Sequence, residues 1–312
     1  MTIVSVEPLS VDKDVLDHAV QRFADAGHQF IIYQDRPGSQ KETAMRIRDA
    51  DAAVITDLPL PRGVIEKTKK LKLVVVAFPN DDHVDMEACS ERGVQVSHIE
   101  GYSAFAVAEL AVSMMISLLR SMITANNAMR TGNHDLPYLG EELHKKTVGI
   151  IGLGDVGIQA AKMVSAMDCP VIAYDPLPVA EAYQTGVTYV PLEQLFREAD
   201  ILSIHCPLTP QTEGMVTYDL LSMMKPTSFI INVGRSPVID LDGLIRALRE
   251  KKIAGAGLDT QEKSRMEADH TLLTFDNVII TPHIGFRTKQ SFERRLLAIE
   301  KRILEWIESQ SG

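Results

Sequence analysis

The sequence predicts an α/β protein made of two doubly wound parallel-sheet domains. Three observations carry that expectation. Short apolar or β-branched runs alternate with helix-length segments along the chain, a glycine-rich turn follows one of those runs, and 312 residues exceed one ordinary core. Hydrophobic residues make up 45% and charged residues 24%, which gives a globular chain ample material to bury.

In chain order, Ile3–Val6, Gln29–Tyr33, Ala53–Thr56, Leu73–Ala77 and Gln95–His98 read as strands. Helical segments near Asp12–Ala26, Lys41–Arg48, Pro61–Lys69 and Met86–Glu91 separate them. Ser103 to Thr131 then reads as one long helix stopped by Gly132-Asn133. A second series follows a loop: Thr147–Ile151, Pro170–Tyr174, Thr188–Val190, Ile201–His205, Phe229–Val233, Gly255–Leu258 and Val278–Thr281. A final helix, Lys289–Glu308, carries an apolar stripe that includes Leu296, Ile299, Ile303 and Trp306.

Composition excludes several classes. A formal net charge of -10 argues against a nucleic-acid partner, and Lys67, Lys69, Lys70, Lys72, Arg294 and Arg295 read as solvated helix faces. Cys89, Cys169 and Cys206 give neither a disulfide framework nor a metal spacing, so a cytoplasmic location is expected. The first residues lack a signal-peptide pattern. The most apolar helix, Ala104 to Leu119, carries Glu109 and is too short for a bilayer, so no membrane partner is expected. The histidines other than His283 show no metal-ligand spacing.

The chemistry begins at Gly152-Leu153-Gly154-Asp155-Val156-Gly157, which follows an apolar strand and opens a helical pattern. Gly152 allows the tight turn, Gly154 lets the backbone approach a pyrophosphate, and Gly157 lets helix and strand pack closely. The helix start offers free N–H groups and the positive dipole end to phosphates. The next strand ends in Asp175, where an acid meets the ribose hydroxyls of NAD(H) and repels a 2′-phosphate. Pro176-Leu177-Pro178 supplies no arginine to receive one.

Beyond that turn, Asn232-Val233-Gly234-Arg235-Ser236 is an apolar strand ending on a cation, and Thr281-Pro282-His283-Ile284-Gly285 is a strand end carrying an imidazole. Guanidinium is a planar fork that binds a carboxylate at any working pH. Imidazole titrates near neutrality and can give a proton to a carbonyl oxygen as hydride arrives. Singly, each has a plainer reading: His283 as a turn residue, Arg235 as the partner of a surface carboxylate. With the nucleotide turn they form a hydride-transfer set.

These motifs, with Leu71-Lys72-Leu73, Gly101-Tyr102-Ser103, Val107–Leu110, Cys206–Thr212 and Ala254–Asp259, run nearly end to end. In that order the chain resembles the D-specific 2-hydroxyacid dehydrogenases, the family of D-lactate, hydroxypyruvate and phosphoglycerate dehydrogenases. The resemblance implies a Rossmann-type NAD domain, residues 101–286, inserted in a flavodoxin-like substrate domain, residues 1–100 and 287–312. It also implies a cleft that closes on substrate and a homodimer formed through the helix near 103–131.

By the same resemblance Arg235 clamps and polarises the substrate, His283 is the general acid/base and Asp259 meets the nicotinamide carboxamide. Cys206, Pro207, Thr212, Val233, Gly234 and Gly285 join the glycine turn as cofactor contacts. The implied activity is NAD-dependent reduction of a small 2-keto acid to the D-2-hydroxy acid. An NAD(H)-sensing or corepressor-like protein with weak turnover is the alternative.

Two departures bear on that alternative. Relatives usually place a glutamate at the position of Ser264, where it hydrogen-bonds the catalytic histidine. A serine cannot favour the imidazolium by charge, so His283 is expected to protonate less readily, unless Glu262 or Glu267 takes over. The loop Phe78-Pro79-Asn80 stands where relatives carry glycines whose neighbouring amides bind the substrate carboxylate, and Pro79 has no N–H to give. Tyr102 either puts a phenol at the substrate mouth or is an ordinary helix-start aromatic.

Overall fold

Where the sequence has uninterrupted apolar runs, the computed structural model has strands, and each pairs with its neighbours in parallel. It describes residues 1–79, 81–133, 139–259 and 269–310. The chain divides into two compact units, Met1–Ser103 with Arg287–Gly312, and Ala104–Phe286.

In the smaller unit, β1 (Thr2–Ser5), β2 (Gln29–Ile32), β3 (Ala52–Ile55), β4 (Leu73–Val76) and β5 (Gln95–His98) form a sheet of order β2-β1-β3-β4-β5. Its central strands are buried on both faces, and so they read as continuous Val, Ile, Leu and Ala runs. The strand order reverses between β1 and β3, the place where open parallel sheets take ligands. There the buried Glu7 carboxylate accepts a 2.8 Å hydrogen bond from the Thr56 amide.

One face of this sheet is covered by the helix Lys13–Asp25 and the last helix, Lys289–Ser309, through Leu16, Phe23, Ile299, Ile303 and Trp306. The Thr288 hydroxyl caps the last helix by accepting from the Ser291 amide at 3.1 Å. A two-pronged pair joins the covering helices: Arg22 Nε and Nη2 each donate to Glu300 at 2.8 Å. The opposite face packs on Ile47, Ile65 and Ala88.

In the larger unit, β6 (Val148–Ile151), β7 (Val171–Tyr174), β8 (Thr188–Tyr189), β9 (Ile201–Ile204), β10 (Phe229–Asn232), β11 (Gly255–Leu258) and β12 (Val278–Ile280) form a second sheet. Its order is β12-β11-β10-β9-β6-β7-β8, reversing between β6 and β9. The helix Ala104–Leu119 lies on it against the helix Asp155–Ser165, β10 and β11. Gly257 leaves room there, since a Cβ would lie 3.2 Å from Met114 Cβ.

The expected single helix over Ser103–Thr131 is instead two, Ala104–Leu119 and Met122–Arg130, bent by 63°. The break falls where the buried stripe ends, for Met122–Arg130 buries no residue. The Leu119 carbonyl accepts from the Glu141 amide at 2.9 Å instead of continuing the helix, and Ser121 turns left-handed at φ 48. Among the described residues no single helix is long and apolar enough to cross a membrane.

A second correction concerns the basic clusters. The lysines at 67, 69, 70 and 72 are exposed, as solvated residues should be. Arg295, in contrast, is only 3% exposed, and Arg294 is half-buried. The smaller unit's core therefore contains a guanidinium that the charge pattern assigned to water.

The last helix contributes to that core through residues distant in sequence from the sheet. Replacing the fully buried Ile299 by Ala should cost about 2–5 kcal/mol. Chemical denaturation followed by Trp306 fluorescence would show it, and a cost below about 0.5 kcal/mol would be that of a surface position.

Candidate active site

The turn after β6 sits beside the end of β9. Gly152 has φ 88, and a Cβ on it would lie 2.7 Å from the Cys206 amide nitrogen. Gly157 is tighter still, since its Cβ would fall 2.0 Å from the Gly152 carbonyl oxygen. Both positions need glycine to bring helix, strand and turn together. Gly154 differs: a Cβ there would meet nothing within 4 Å. Its lack of a side chain keeps open space beside the backbone.

Gly154 also heads the helix Asp155–Ser165 without a side-chain cap, so the first-turn amides face outward unsatisfied by any cap. Open space at Gly154 and free amides at a helix start fit a pyrophosphate. Asp155 is exposed and Val156 half-buried in that first turn. Asp175, just beyond β7, accepts from the Leu153 amide through Oδ2 and from the Leu177 amide through Oδ1, both at 2.8 Å. Its carboxylate thus fixes the glycine turn and retains lone pairs for hydroxyl donors.

The loop after β9 completes this side. Cys206 is buried, and burial pushes its thiol up to about 11, which leaves it unreactive near neutrality. The Thr212 hydroxyl donates to the Pro207 carbonyl at 2.7 Å and accepts from the Thr209 amide at 2.8 Å, closing the loop on itself. After β10, Val233 is buried and Gly234 approaches the Cys206 carbonyl, where a Cβ would sit at 3.0 Å.

Arg235 is half-buried at the end of β10. The Asn232 side chain shapes its turn, accepting from the Gly234 amide at 3.0 Å and donating to the Arg235 carbonyl at 3.1 Å. Arg235 Nη1 donates to the Gly234 carbonyl at 3.1 Å, and no carboxylate among the described residues pairs with its guanidinium. Within the described residues the surface-pair reading of Arg235 finds no partner.

His283 lies in the loop after β12 and has φ 53, a left-handed backbone rare for a non-glycine residue. Asp259, at the end of β11 and 1% exposed, holds that loop. Its Oδ1 accepts from the Ile284 amide at 2.8 Å and the Thr281 hydroxyl at 2.5 Å, and its Oδ2 from the Gly285 amide at 2.7 Å. A Cβ on Gly285 would lie 2.9 Å from that Oδ2.

Although His283 is exposed overall, its ring packs edge-on against Phe286 at 5.4 Å. Loss of hydration pushes the imidazole below its ordinary value; the Asp259 charge opposes that shift and the Arg235 charge adds to it. Arg235 and Asp259 are thus both near enough to act on His283 electrostatically. A neutral imidazole that can take up a proton, a cation and a fixed carboxylate are the parts needed for acid–base chemistry on a carbonyl.

The structure brings the larger unit's site residues to the carboxyl ends of its strands, clustered at the reversal of strand order and along β10, β11 and β12. Thr281, Phe286 and Asn232 join them without having been singled out from the sequence. In the smaller unit, Phe78 is half-buried and Pro79 exposed after β4. Tyr102 is 5% exposed, so its ring is core and not an open phenol. Asn80, Ser264, Glu262 and Glu267 lie outside the described residues.

Comparison with known proteins decides the family. The model for the D-isomer specific 2-hydroxyacid dehydrogenase NAD-binding domain matches residues 112–285. The chain belongs to the D-isomer specific 2-hydroxyacid dehydrogenases. It is similar to a glyoxylate reductase of Thermofilum pendens, 35% identical over 270 residues, 84% of this chain and 79% of that one. A D-3-phosphoglycerate dehydrogenase of Methanocaldococcus jannaschii is 37% identical over 257 residues, 81% of this chain and 49% of the longer relative.

Among solved structures, a D-2-hydroxyisocaproate dehydrogenase superposes with a TM-score of 0.88 at 26% identity, covering 100% of this chain and 98% of that one. The apo D-lactate dehydrogenase of Escherichia coli gives 0.83 at 29% identity, covering 99% and 98%. This D-2-hydroxyacid dehydrogenase is therefore an NAD-dependent oxidoreductase, with NAD(H) as its cofactor.

The glycines separate packing from binding. Gly157→Ala should fail to fold or lose much of its thermal stability, because the new carbon overlaps a backbone oxygen. Gly154→Ala should keep its melting temperature within a few degrees and weaken NADH by roughly 10-fold or more, since it fills the approach space. Thermal unfolding and NADH fluorescence titration read the two effects apart.

Proposed function

We propose that this dehydrogenase reduces a small 2-keto acid to the D-2-hydroxy acid, with Arg235 as the substrate clamp and His283 as the general acid. The observation that carries the reading is the pairing of a half-buried guanidinium, with no carboxylate partner among the described residues, with an imidazole whose loop is locked by Asp259. Gly152, Gly154, Gly157 and Asp175 hold the dinucleotide, assisted by Asp155, Val156, Cys206, Pro207, Thr212, Val233, Gly234 and Gly285. Bound NADH supplies the hydride. Arg235 takes the substrate carboxylate and draws electron density toward the reacting oxygen. His283 donates the proton to that oxygen, and takes it back in the reverse direction.

Asp259 has one acceptor position beyond its three bound donors, sufficient for the amide of the cofactor's carboxamide. Phe78, Pro79 and Asn80 are the substrate-side residues in this reading, and Ser264 replaces the usual carboxylate partner of the imidazole. We extend the proposal to a cytoplasmic homodimer. The exposed apolar side chains Phe105, Met122, Ile123 and Met129, on the two helices after Ser103, support self-association.

The deciding measurement follows NADH oxidation by purified protein with pyruvate, glyoxylate, hydroxypyruvate, 2-ketoisocaproate and phenylpyruvate. Turnover should fall by roughly 100-fold or more in Arg235→Ala and in His283→Ala. Tight NADH binding with no keto acid reduced would overturn the reading in favour of a binding protein.

The pH profile is a separate prediction. Reduction needs protonated His283, and its folded-state value lies below the ordinary ~6.5. Reduction should therefore decline as pH rises through a midpoint below ~6.5, while oxidation of the hydroxy acid gains over the same range. Phe286→Ala relieves the lost hydration and should move the reduction limb toward alkaline pH, as should Ser264→Glu by adding a negative charge. A limb that stays in place in both variants would show that another group sets it.

A further inference from the structure

Asn232, the last residue of β10, is a polar side chain in the middle of the larger unit's sheet. It is 1% exposed and stands in register with Ile204 of β9 and Leu258 of β11. Its carbonyl accepts from the Asp259 amide at 2.9 Å. Its side chain engages the turn that follows: Oδ1 accepts from the Gly234 amide at 3.0 Å, and Nδ2 donates to the Arg235 carbonyl at 3.1 Å. One residue therefore touches both the strand end that carries Asp259 and the turn that carries Arg235.

Each contact leads to one half of the proposed acid and clamp. Through Asp259 the link reaches His283, because that carboxylate binds the Thr281 hydroxyl and the amides of Ile284 and Gly285. The His283 amide adds a 2.9 Å bond to the Thr281 carbonyl. Through the side chain the link reaches Arg235, whose carbonyl also accepts from the Val238 amide at 3.2 Å. The Val238 bond holds the far side of the turn. The Asn232 carboxamide holds the near side, to the same strand end that receives Asp259.

Turn closure alone accounts for the Oδ1 contact. A short polar side chain that accepts from the amide two residues on is a common turn device, and aspartate or serine can make the same bond. It does not account for Nδ2, which binds the carbonyl of the very residue that bears the guanidinium. A carboxylate has no donor for that carbonyl, and a serine hydroxyl offers one atom for the two positions. A carboxylate would also bring a negative charge to the Arg235 turn, where no described carboxylate pairs with the guanidinium. The carboxamide shapes the turn without neutralising it. Gly234 completes the arrangement, since a Cβ there would lie 3.0 Å from the Cys206 carbonyl oxygen and 3.5 Å from Asn232 Oδ1.

We propose that Asn232 is a positioning residue for the reduction. Its carboxamide and its carbonyl tie the Arg235 turn and the Asp259 strand end to one point, and so set the spacing between the clamp and the acid. The assignment rests on the keto-acid reading above. Asn232 acts through Arg235 and Asp259 and not on the substrate itself.

The test uses Asn232→Ala, which removes both side-chain bonds, and Asn232→Ser, which keeps an acceptor for the Gly234 amide should the alanine variant fail to fold. Calorimetry at saturating NADH follows oxamate, which has the carboxylate and carbonyl of a 2-keto acid but is not reduced. Oxamate should bind about 10-fold or more weakly in each folded variant, while NADH affinity stays within about 3-fold. In turnover, KM for the keto acid should rise by more than kcat falls. Oxamate bound as tightly as by the native protein overturns the role. An equal loss of NADH and oxamate affinity also overturns it, because general loosening then explains both.

His283 supplies a readout that needs no substrate. Lost hydration, with the Arg235 charge added to it, holds the imidazole below its ordinary value against the opposing Asp259 charge. A displaced guanidinium should let it titrate at higher pH. NMR titration of His283 in Asn232→Ala should therefore move toward alkaline pH, in the direction of Arg235→Gln. Adding Asn232→Ala to Arg235→Gln should move it no further. A native protein that reduces no keto acid but shows this dependence keeps the positioning role and loses the reductase reading. Rapid native turnover, with an unmoved titration and unchanged oxamate binding in the variants, does the reverse.

Discussion

The loop that carries His283 in the larger unit depends on one buried carboxylate. Asp259 collects three donors from a single loop, the Thr281 hydroxyl and the amides of Ile284 and Gly285. The residue enclosed by those donors, His283, sits in a left-handed conformation that costs on the order of 1–3 kcal/mol. Hydrogen bonds to a charged acceptor contribute roughly 1.5–3 kcal/mol each, so three of them outweigh that strain. Without the carboxylate the loop would have both the strain and two orphaned amides. The imidazole's position is thus fixed by its backbone and needs no direct bond from Asp259 to its ring.

This arrangement also explains how an exposed histidine can have a perturbed acidity. The loop that Asp259 fixes continues to Phe286, whose ring edge stands against the imidazole. Lost hydration lowers the affinity for a proton, the Asp259 charge restores part of it and the Arg235 charge removes more. The two charges pull in opposite directions, and burial decides the sign. A carboxylate in direct contact with the imidazole would reverse that balance.

The fold was legible wherever burial is two-sided. A strand covered on both faces must be apolar throughout, and runs such as Ala52–Ile55, Leu73–Val76 and Ile201–Ile204 could be placed with only their ends adjusted. The break at Arg120-Ser121 was not legible, because no glycine or proline marks it. It is set by a tertiary event, the Glu141 amide capturing the Leu119 carbonyl where the buried stripe runs out. Arg295 was misplaced for a related reason: charge predicts solvent, and only the fold reveals that three rings and a distant carbonyl surround it. Phe286 likewise gives no signal, since a phenylalanine near a histidine in sequence does not say which way its ring turns.

The unequal legibility of the glycine turn and the Arg295 cluster has a physical cause. The glycine turn is made of backbone: Gly152 and Gly157 are required because any Cβ would collide with main-chain atoms, and Gly154 leaves open space beside the helix start. Backbone sites leave a glycine spacing in the sequence that survives changes elsewhere, so the cofactor can be read directly. The surroundings of Arg295 in the smaller unit are drawn from the Leu9 carbonyl, Phe78, Tyr102 and the last helix, and no local spacing joins them. Charge neutrality is the rule that exposes such a cluster. Arg46 satisfies it with Asp35 and Glu42, whereas Arg294 and Arg295 do not satisfy it within the described chain. An imbalance of this kind can be recognised only once folding has shown which charges are buried and which carboxylates are already taken.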